Sequence, residues 1–431
     1  MRSKFIAFLG LLCFSTVFAY GQARFGTYAL TGVTLIDASR RHGLAHQTVV
    51  VKDGKIAQVF ADGSLMLPDS VSVIRAGGKY LIPGLIDTHV HMATDPSDVD
   101  NRAATLRVLQ RMLYSGITTV RDMAGDARVL AGLSRDARVG DILSPDIYYS
   151  ALMAGPEFFK DPRTVNSTQG GAAGGMPYML GVTPSTDMPL AVAAARGSGA
   201  WGIKLYADLK PEMVNKIVAE AKRQGILVWG HAYLQYSKPS DLVRAGVSSV
   251  SHSPLLMYET RDSIPAAWKH GEHSERFWDD SVRADEGLLR SMKDRHVILD
   301  ATLSAYKSWE RQDSGRRYLY QIARRLAAQA YAAGVEVCAG TDDDQEAFVQ
   351  SEMHLLVHDA GFSAIDALVA ATCNGADALG LTDRLGTIEV GKDADLVVLD
   401  KNPLEDIDNV LSVHLVIKKG KIYTSSDPTA P

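Results

Sequence analysis

Residues 81–92 read LIPGLIDTHVHM, an apolar run that closes on two histidines one residue apart. Side chains at i and i+2 of a strand project to the same side. His89 and His91 are therefore placed to reach one metal ion if this strand lines the mouth of a barrel. Taken alone, the pair fits two structural histidines at a strand end equally well. The surrounding chain weighs between the two.

Downstream, strand-like apolar runs alternate with helical ones. Candidate strands are Leu85–His91, Ile117–Asp122, Ile147–Ala151, Gly202–Tyr206, Leu227–His231, Ser248–His252, Val297–Ala301 and Val335–Thr341. Helical stretches such as MVNKIVAEAKRQG, ending at Gly225, and RRLAAQAYAAG, ending at Gly334, lie between them. Eight such units over about three hundred residues predict an α/β fold, a (β/α)8 TIM barrel spanning 81–384. An open doubly wound sheet is the alternative, but no G-x-G-x-x-G follows the first strand.

The ends read differently. Short alternating runs, TYALTGVTLID and QTVVVKDGKIAQVF near the start and ADLVVLD and VHLVIKKGKIY near the finish, predict one small β-sandwich from residues 24–80 and 385–425. Asp53-Gly54 and Lys419-Gly420 mark its tight turns. Two long loops, from Met153 to Pro184 with its GGAAGG stretch and from Ser253 to Asp285 with Trp268, His270, His273 and Trp278, follow strands and should lie on the catalytic face.

Arg2 and Lys4 precede an apolar run from Phe5 to Phe18, then Ala19, Gly21 and Ala23: a secretory signal peptide over residues 1–21. An N-terminal membrane anchor is the alternative, disfavoured by the short run. Export to the periplasm or medium is expected, with no membrane association after leader removal. Cys13 would leave with the leader; Cys338 and Cys373 sit in apolar segments and read as buried free thiols, although an oxidising compartment permits a disulfide. A net charge of −5 without a basic stripe argues against nucleic acid. The expected partner is a small-molecule substrate; a homo-oligomer is left open.

His231 closes ILVWGH, His252 closes VSSVSH, and Asp342 follows VEVCAGT. Each stands just past a buried-looking run, at the edge where barrel enzymes place catalytic groups. Four histidines and a carboxylate on one rim form a zinc-type donor set. Lys204, inside WGIKLY, is the odd residue, since an unpaired ammonium among apolar neighbours is costly. Burial favours the neutral amine, which can take up carbon dioxide to form a carbamate able to bridge two metals. The plainer reading pairs Lys204 with an acid such as Asp208.

Together, PGLIDTHVH, Lys204, His231, His252 and AGTD resemble the amidohydrolase superfamily, and the tail LGLTDRLGTIEVGKDADLVVLDKNPLEDI is similar to its imidazolonepropionase-like and prolidase-like members. The resemblance covers nearly the whole chain after the leader. It implies one metal on His89, His91 and Asp342, a second on His231 and His252, and a bridging carboxylated Lys204 and hydroxide. The implied metals are two divalent ions, zinc first among zinc, manganese, cobalt and iron. Deaminases and true imidazolonepropionases of the superfamily usually carry a glutamate three residues after the fifth-strand histidine and lack the strand-four lysine. Here Leu234 stands at that position and Lys204 is present, which favours hydrolysis of an open amide or ester.

The implied mechanism is attack by the bridging hydroxide with Asp342 as general base and acid, on the amide bond of a dipeptide or N-acyl amino acid. The rivals are a hydrolase of a cyclic amide, ester or lactone on the same centre, and a non-catalytic binding protein on this scaffold. Tyr206 and Tyr233, each two residues beyond a ligand, and Arg121 at the end of the second strand are candidate substrate contacts. Rim packing for the tyrosines, and an ion pair with Asp122 or Asp87 for Arg121, are the plainer roles. Asp343, Asp344 and Glu346 add acids beside Asp342, suited to a cationic substrate group or to a solvated loop.

Overall fold

The computed structural model describes residues 26–92, 101–261, 281–342 and 348–424. The leader, the segment carrying Trp268, His270, His273 and Trp278, and the acids Asp343, Asp344 and Glu346 lie outside these residues.

Eight parallel strands pair in sequence order: Leu85–Val90, Ile117–Asp122, Asp146–Ala154, Gly202–Leu205, Leu227–His231, Ser249–Ser251, Ile298–Asp300 and Val337–Cys338. The last returns to the first, because the Thr88 N–H donates to the Ala339 carbonyl at 3.0 Å and the Asp342 N–H to the His89 carbonyl at 2.8 Å. That return makes a barrel and removes the open-sheet alternative. The eighth strand is shorter than the expected Val335–Thr341. Past Cys338 the chain bonds singly to its neighbours and turns at Asp342, whose φ is +49°.

The connecting helices follow from local signals. In Pro211–Gln224, Pro211 fits the first turn, Lys222 and Arg223 sit in the last, and Gly225 closes the helix at φ +69°. Met213, Val214, Ile217, Val218 and Ala221 bury one face.

Residues from both chain ends share one mixed eight-stranded sheet. Leu396–Leu399, near the C-terminus, runs antiparallel to Tyr80–Pro83, with Val397 opposite Ile82. Leu30, Leu35, Val49, Leu81, Leu396, Val398 and Ile417 form its separate apolar core. The expected loop from Met153 to Pro184 is more ordered than its glycines suggest. The third barrel strand runs on to Ala154, and Met179–Gly181 adds beside its tip in parallel register. Phe159, Tyr178, Met179 and Val182 bury there, so apolar anchors override the permissive backbone of GGAAGG.

The end sheet docks on the barrel through apolar contacts, Val397 and Leu399 joining the barrel core and Val416 and Tyr423 packing with Leu113, and through charge. Lys418, itself 5% exposed, pairs with Asp146 at 2.7 Å and donates to the Ser144 carbonyl at 2.8 Å, while Lys419 pairs with the other Asp146 oxygen at 2.5 Å. Burial alone would raise the Asp146 pKa, but the two lysines hold it below the ordinary carboxylate range. A depressed folded-state pKa stabilises the fold above the unfolded value and loses that contribution as pH falls through the folded one. Asp146→Asn should therefore cost about 3 kcal/mol at neutral pH. In calorimetry at several pH values, the Tm gap from wild type should close below about pH 4.

Candidate metal centre

The ligand candidates gather at the C-terminal ends of the barrel strands. His89 comes from the first strand, His231 from the fifth, and His91, His252 and Asp342 from the residues just beyond the first, sixth and eighth. Ligand atoms of His89, His252 and Asp342 all lie within 4.8 Å of one another. His91 Nε2 is 3.1 Å and His89 Nε2 3.6 Å from Asp342 Oδ1. The His231 and His252 rings stand perpendicular with centroids 4.4 Å apart, and His89 lies 5.2 Å from His252.

Hydrogen bonds on the far side of the rings set which nitrogen faces the mouth. His91 Nδ1 meets the Ala124 carbonyl at 3.1 Å, and a carbonyl only accepts. His89 Nδ1 meets Asp300 Oδ2 at 2.7 Å. Burial raises the Asp300 pKa, but His89 and Arg121 bring it below the ordinary range, so this carboxylate accepts as well. Both Nε2 lone pairs then point at the Asp342 carboxylate. Two acceptors at this range need a shared cation between them, either a proton, as in a His91–Asp342 ion pair, or a metal ion. His231 Nδ1 is buried with no hydrogen-bond partner among the described residues. Desolvation holds His231 far below its ordinary pKa and His252 at about 3, so both are neutral, as metal ligation requires. The donor set fits divalent metal.

Lys204 lies beneath the histidines and is fully buried. Among the described residues its Nζ donates one hydrogen bond, to Ser251 Oγ at 3.1 Å, and makes no ion pair; Asp208 is not its partner. Burial pushes its pKa down to about 7, Arg121 adds to that, and Asp300 and Asp342 oppose it.

Several supporting residues escaped the sequence reading. Asp300 gathers His89, Ser251 (3.0 Å) and Arg121 (3.3 Å) on one oxygen. Asp87 accepts from the backbone N–H of His89 and of Thr341, both at 3.1 Å, clamping the first strand to the eighth. Asp122 accepts from the Met92 N–H at 2.6 Å and steadies the turn after His91. A buried Asp closing VILD was the one available signal for Asp300, and only the closed barrel shows what it touches.

Arg121 is not at the mouth. It is fully buried, donates to the Thr88 carbonyl at 2.6 Å and to Ser249 Oγ at 3.0 Å, and lies over the Trp229 ring at 4.8 Å. Its acid is Asp300 rather than Asp122 or Asp87, because its side chain crosses the lumen toward the seventh strand. Tyr206 packs on His231 with centroids 3.9 Å apart and stacks on Phe158 at 4.3 Å. Tyr233 stacks on Tyr258 and donates its hydroxyl to the Gln235 carbonyl at 2.6 Å.

A profile of the amidohydrolase family matches residues 80–423. The chain belongs to the amidohydrolase family. This amidohydrolase is 26% identical to ochratoxinase of Aspergillus niger, over 88% of this chain and 83% of that protein. It is 37% identical to imidazolonepropionase of Thermoplasma acidophilum, over 88% of this chain and 90% of that protein. Its fold matches the crystal structure of a Xaa-Pro dipeptidase with bound methionine, with a TM-score of 0.76 and 22% identity, covering 92% and 100% of the two chains. Family and relatives make this amidohydrolase a hydrolase acting on carbon–nitrogen bonds of a small-molecule substrate, in a family that generally uses divalent metal.

Gly340, in AGTD, shows how tightly the centre of this amidohydrolase is built. A Cβ there would lie 2.3 Å from Asp300 Oδ1 and 2.7 Å from His89 Cβ. Gly132, mid-helix, has nothing within 4 Å of its would-be Cβ. Gly340→Ala should lower stability by about 2 kcal/mol and displace His89. Gly132→Ala should raise it by up to about 1 kcal/mol. Tm for the two variants, measured side by side, checks the contrast.

Proposed function

We propose that this amidohydrolase is an exported binuclear metal hydrolase that cleaves the amide bond of a dipeptide or N-acyl amino acid. His89, His91 and Asp342 would hold one ion, His231 and His252 the other, and carboxylated Lys204 would bridge them, with zinc the leading candidate. The observation that carries this reading is Lys204: an amine buried without an acidic partner among the described residues, directly below four converging imidazoles. When bound, the metal pair supplies Lewis acidity, polarising the scissile carbonyl and lowering the pKa of the attacking water.

The chain's own groups do the rest. Burial would raise the Asp342 pKa, but His89, His91 and His252 hold it far below the carboxylate range, so it enters as the anion. It accepts the water's proton and returns it to the leaving nitrogen. Thr302 Oγ1, 2.9 Å from His252 Nδ1, and Asp300 fix the imidazole orientations throughout.

Substrate groups meet aromatic walls. Tyr206 and Phe158 flank His231; Tyr306, with its ring 6.3 Å from that of His252, and Trp309 flank the other side. These surfaces suit an apolar acyl group or side chain. Arg163, half exposed and held by both oxygens of Asp161 at 2.8 and 3.1 Å, reaches within 3.5 Å of Tyr206 Oη, and its remaining guanidinium N–H groups offer hydrogen bonds to a substrate carboxylate in place of the buried Arg121.

Metal content per chain should be about two in wild type and fall sharply in Lys204→Ala, with kcat falling in step. One metal per chain, unchanged by that substitution, would sink the bridged centre. Mass spectrometry of products from dipeptides, N-acyl amino acids and cyclic amides then fixes the bond cleaved; turnover of cyclic amides alone would overturn the open-amide reading. The exported chain should begin near Gly21 by intact mass, and retention of residue 1 after export would remove the cleaved leader.

A further inference from the structure

We propose that His354, His358 and Asp408 form a second transition-metal site, on the surface and separate from the centre in the barrel mouth. His354 and His358 are four residues apart on the helix Val349–His358, so they share one face. Their rings lie 4.3 Å apart between centroids. Asp408, on the short 3-10 turn Ile407–Leu411, brings Oδ1 to 2.8 Å from His354 Nδ1. One ligand atom from each residue falls within a 4.8 Å cluster.

A hydrogen-bonded His354–Asp408 pair would account for two of these groups, but it leaves His358 tilted over His354 at the edge of the pair. A tetrahedral ion accounts for all three. Bonds of about 2.0–2.2 Å separate its ligand atoms by roughly 3.4 Å, so the His354–Asp408 pair, at 2.8 Å, opens to admit the ion while the wider separations, all within 4.8 Å, close on it. Two imidazoles and one carboxylate select zinc, copper or nickel over calcium or magnesium, which prefer all-oxygen shells. With three protein ligands, the fourth position stays with water.

The supports are rigid, which favours a site over a chance meeting. Met353 and Leu356 anchor the helix, and Ile407 and Val410 anchor the turn, in one continuous apolar core. Asp406 caps that turn by accepting from the Asp408 N–H at 3.0 Å. The helix follows the eighth barrel strand and runs from the mouth toward the opposite face, so its last turns stand away from His89 and Asp342. The turn belongs to the connection between Leu396–Leu399 and Val413–Lys418 of the end sheet. A bound ion would cross-link barrel and end sheet, binding the folded chain in preference to the unfolded one.

The test is zinc titration of the intact holoenzyme by equilibrium dialysis, with Tm and hydrolysis rate recorded at each point. Wild type should take up about one equivalent per chain beyond the mouth centre and show a rising Tm. The double variant His354→Ala, His358→Ala and the single variant Asp408→Asn should each lose that equivalent and the zinc-dependent Tm rise, at unchanged hydrolysis rate. In a His89→Ala, His231→Ala chain the surface equivalent should persist. Equal zinc uptake by wild type and the surface variants, or no uptake beyond the mouth centre, overturns the proposal.

Discussion

One buried carboxylate holds the barrel mouth together. Asp300 closes the seventh strand inside the lumen and receives His89, Arg121 and Ser251 on one oxygen and Thr88 on the other. In a dry interior a lone charge is expensive, and so is each unpaired cation. Sharing Asp300 among a guanidinium, an imidazole N–H and a hydroxyl offsets those costs together. It also ties the first, second, sixth and seventh strands at one level. Lys204 reaches this network only through Ser251, which leaves its amine neutral-leaning and available, whereas Arg121 is wholly committed.

Above that layer the backbone gives up regularity to aim side chains. His252, Thr302 and Asp342 all adopt positive φ, an uncommon region for residues with a Cβ. The strain falls where the strands end and ladder hydrogen bonds stop. Asp87 and Asp122 counter it by accepting backbone N–H groups around His89, Thr341 and Met92. Burial raises both carboxyls, to about 7 and about 6, against the pull of those hydrogen bonds. The polar groups beneath the mouth therefore form one positioning frame, with Gly340 leaving no room for a side chain inside it.

The opposite end of the barrel serves stability. Asp146 starts the third strand and meets Lys418 and Lys419 from the returning chain end. Strand starts carry the docking charges and strand ends the chemistry, the division expected of a (β/α)8 barrel. The aromatic walls at the mouth come from the loops and helices that follow the third, fourth and seventh strands, so they can vary without disturbing the frame below.

The sequence by itself determined the periodic features. Apolar runs at strand spacing, helices closed by Gly225 and Gly334, and alternating ends made the barrel and the composite end sheet legible, together with the order of His89, His91, Lys204, His231, His252 and Asp342 along the rim. These are local signals: side-chain period, turn chemistry and a polar residue just past a buried run. Tertiary structure alone decided the partners. Arg121 crosses the lumen to Asp300 instead of Asp122 or Asp87, Arg163 reaches Tyr206 from the short helix Pro162–Asn166, and His354 finds Asp408. Each joins residues far apart in the chain through a hydrogen bond or a buried charge, and such pairings have no period along a sequence because only the tertiary fold brings their partners together.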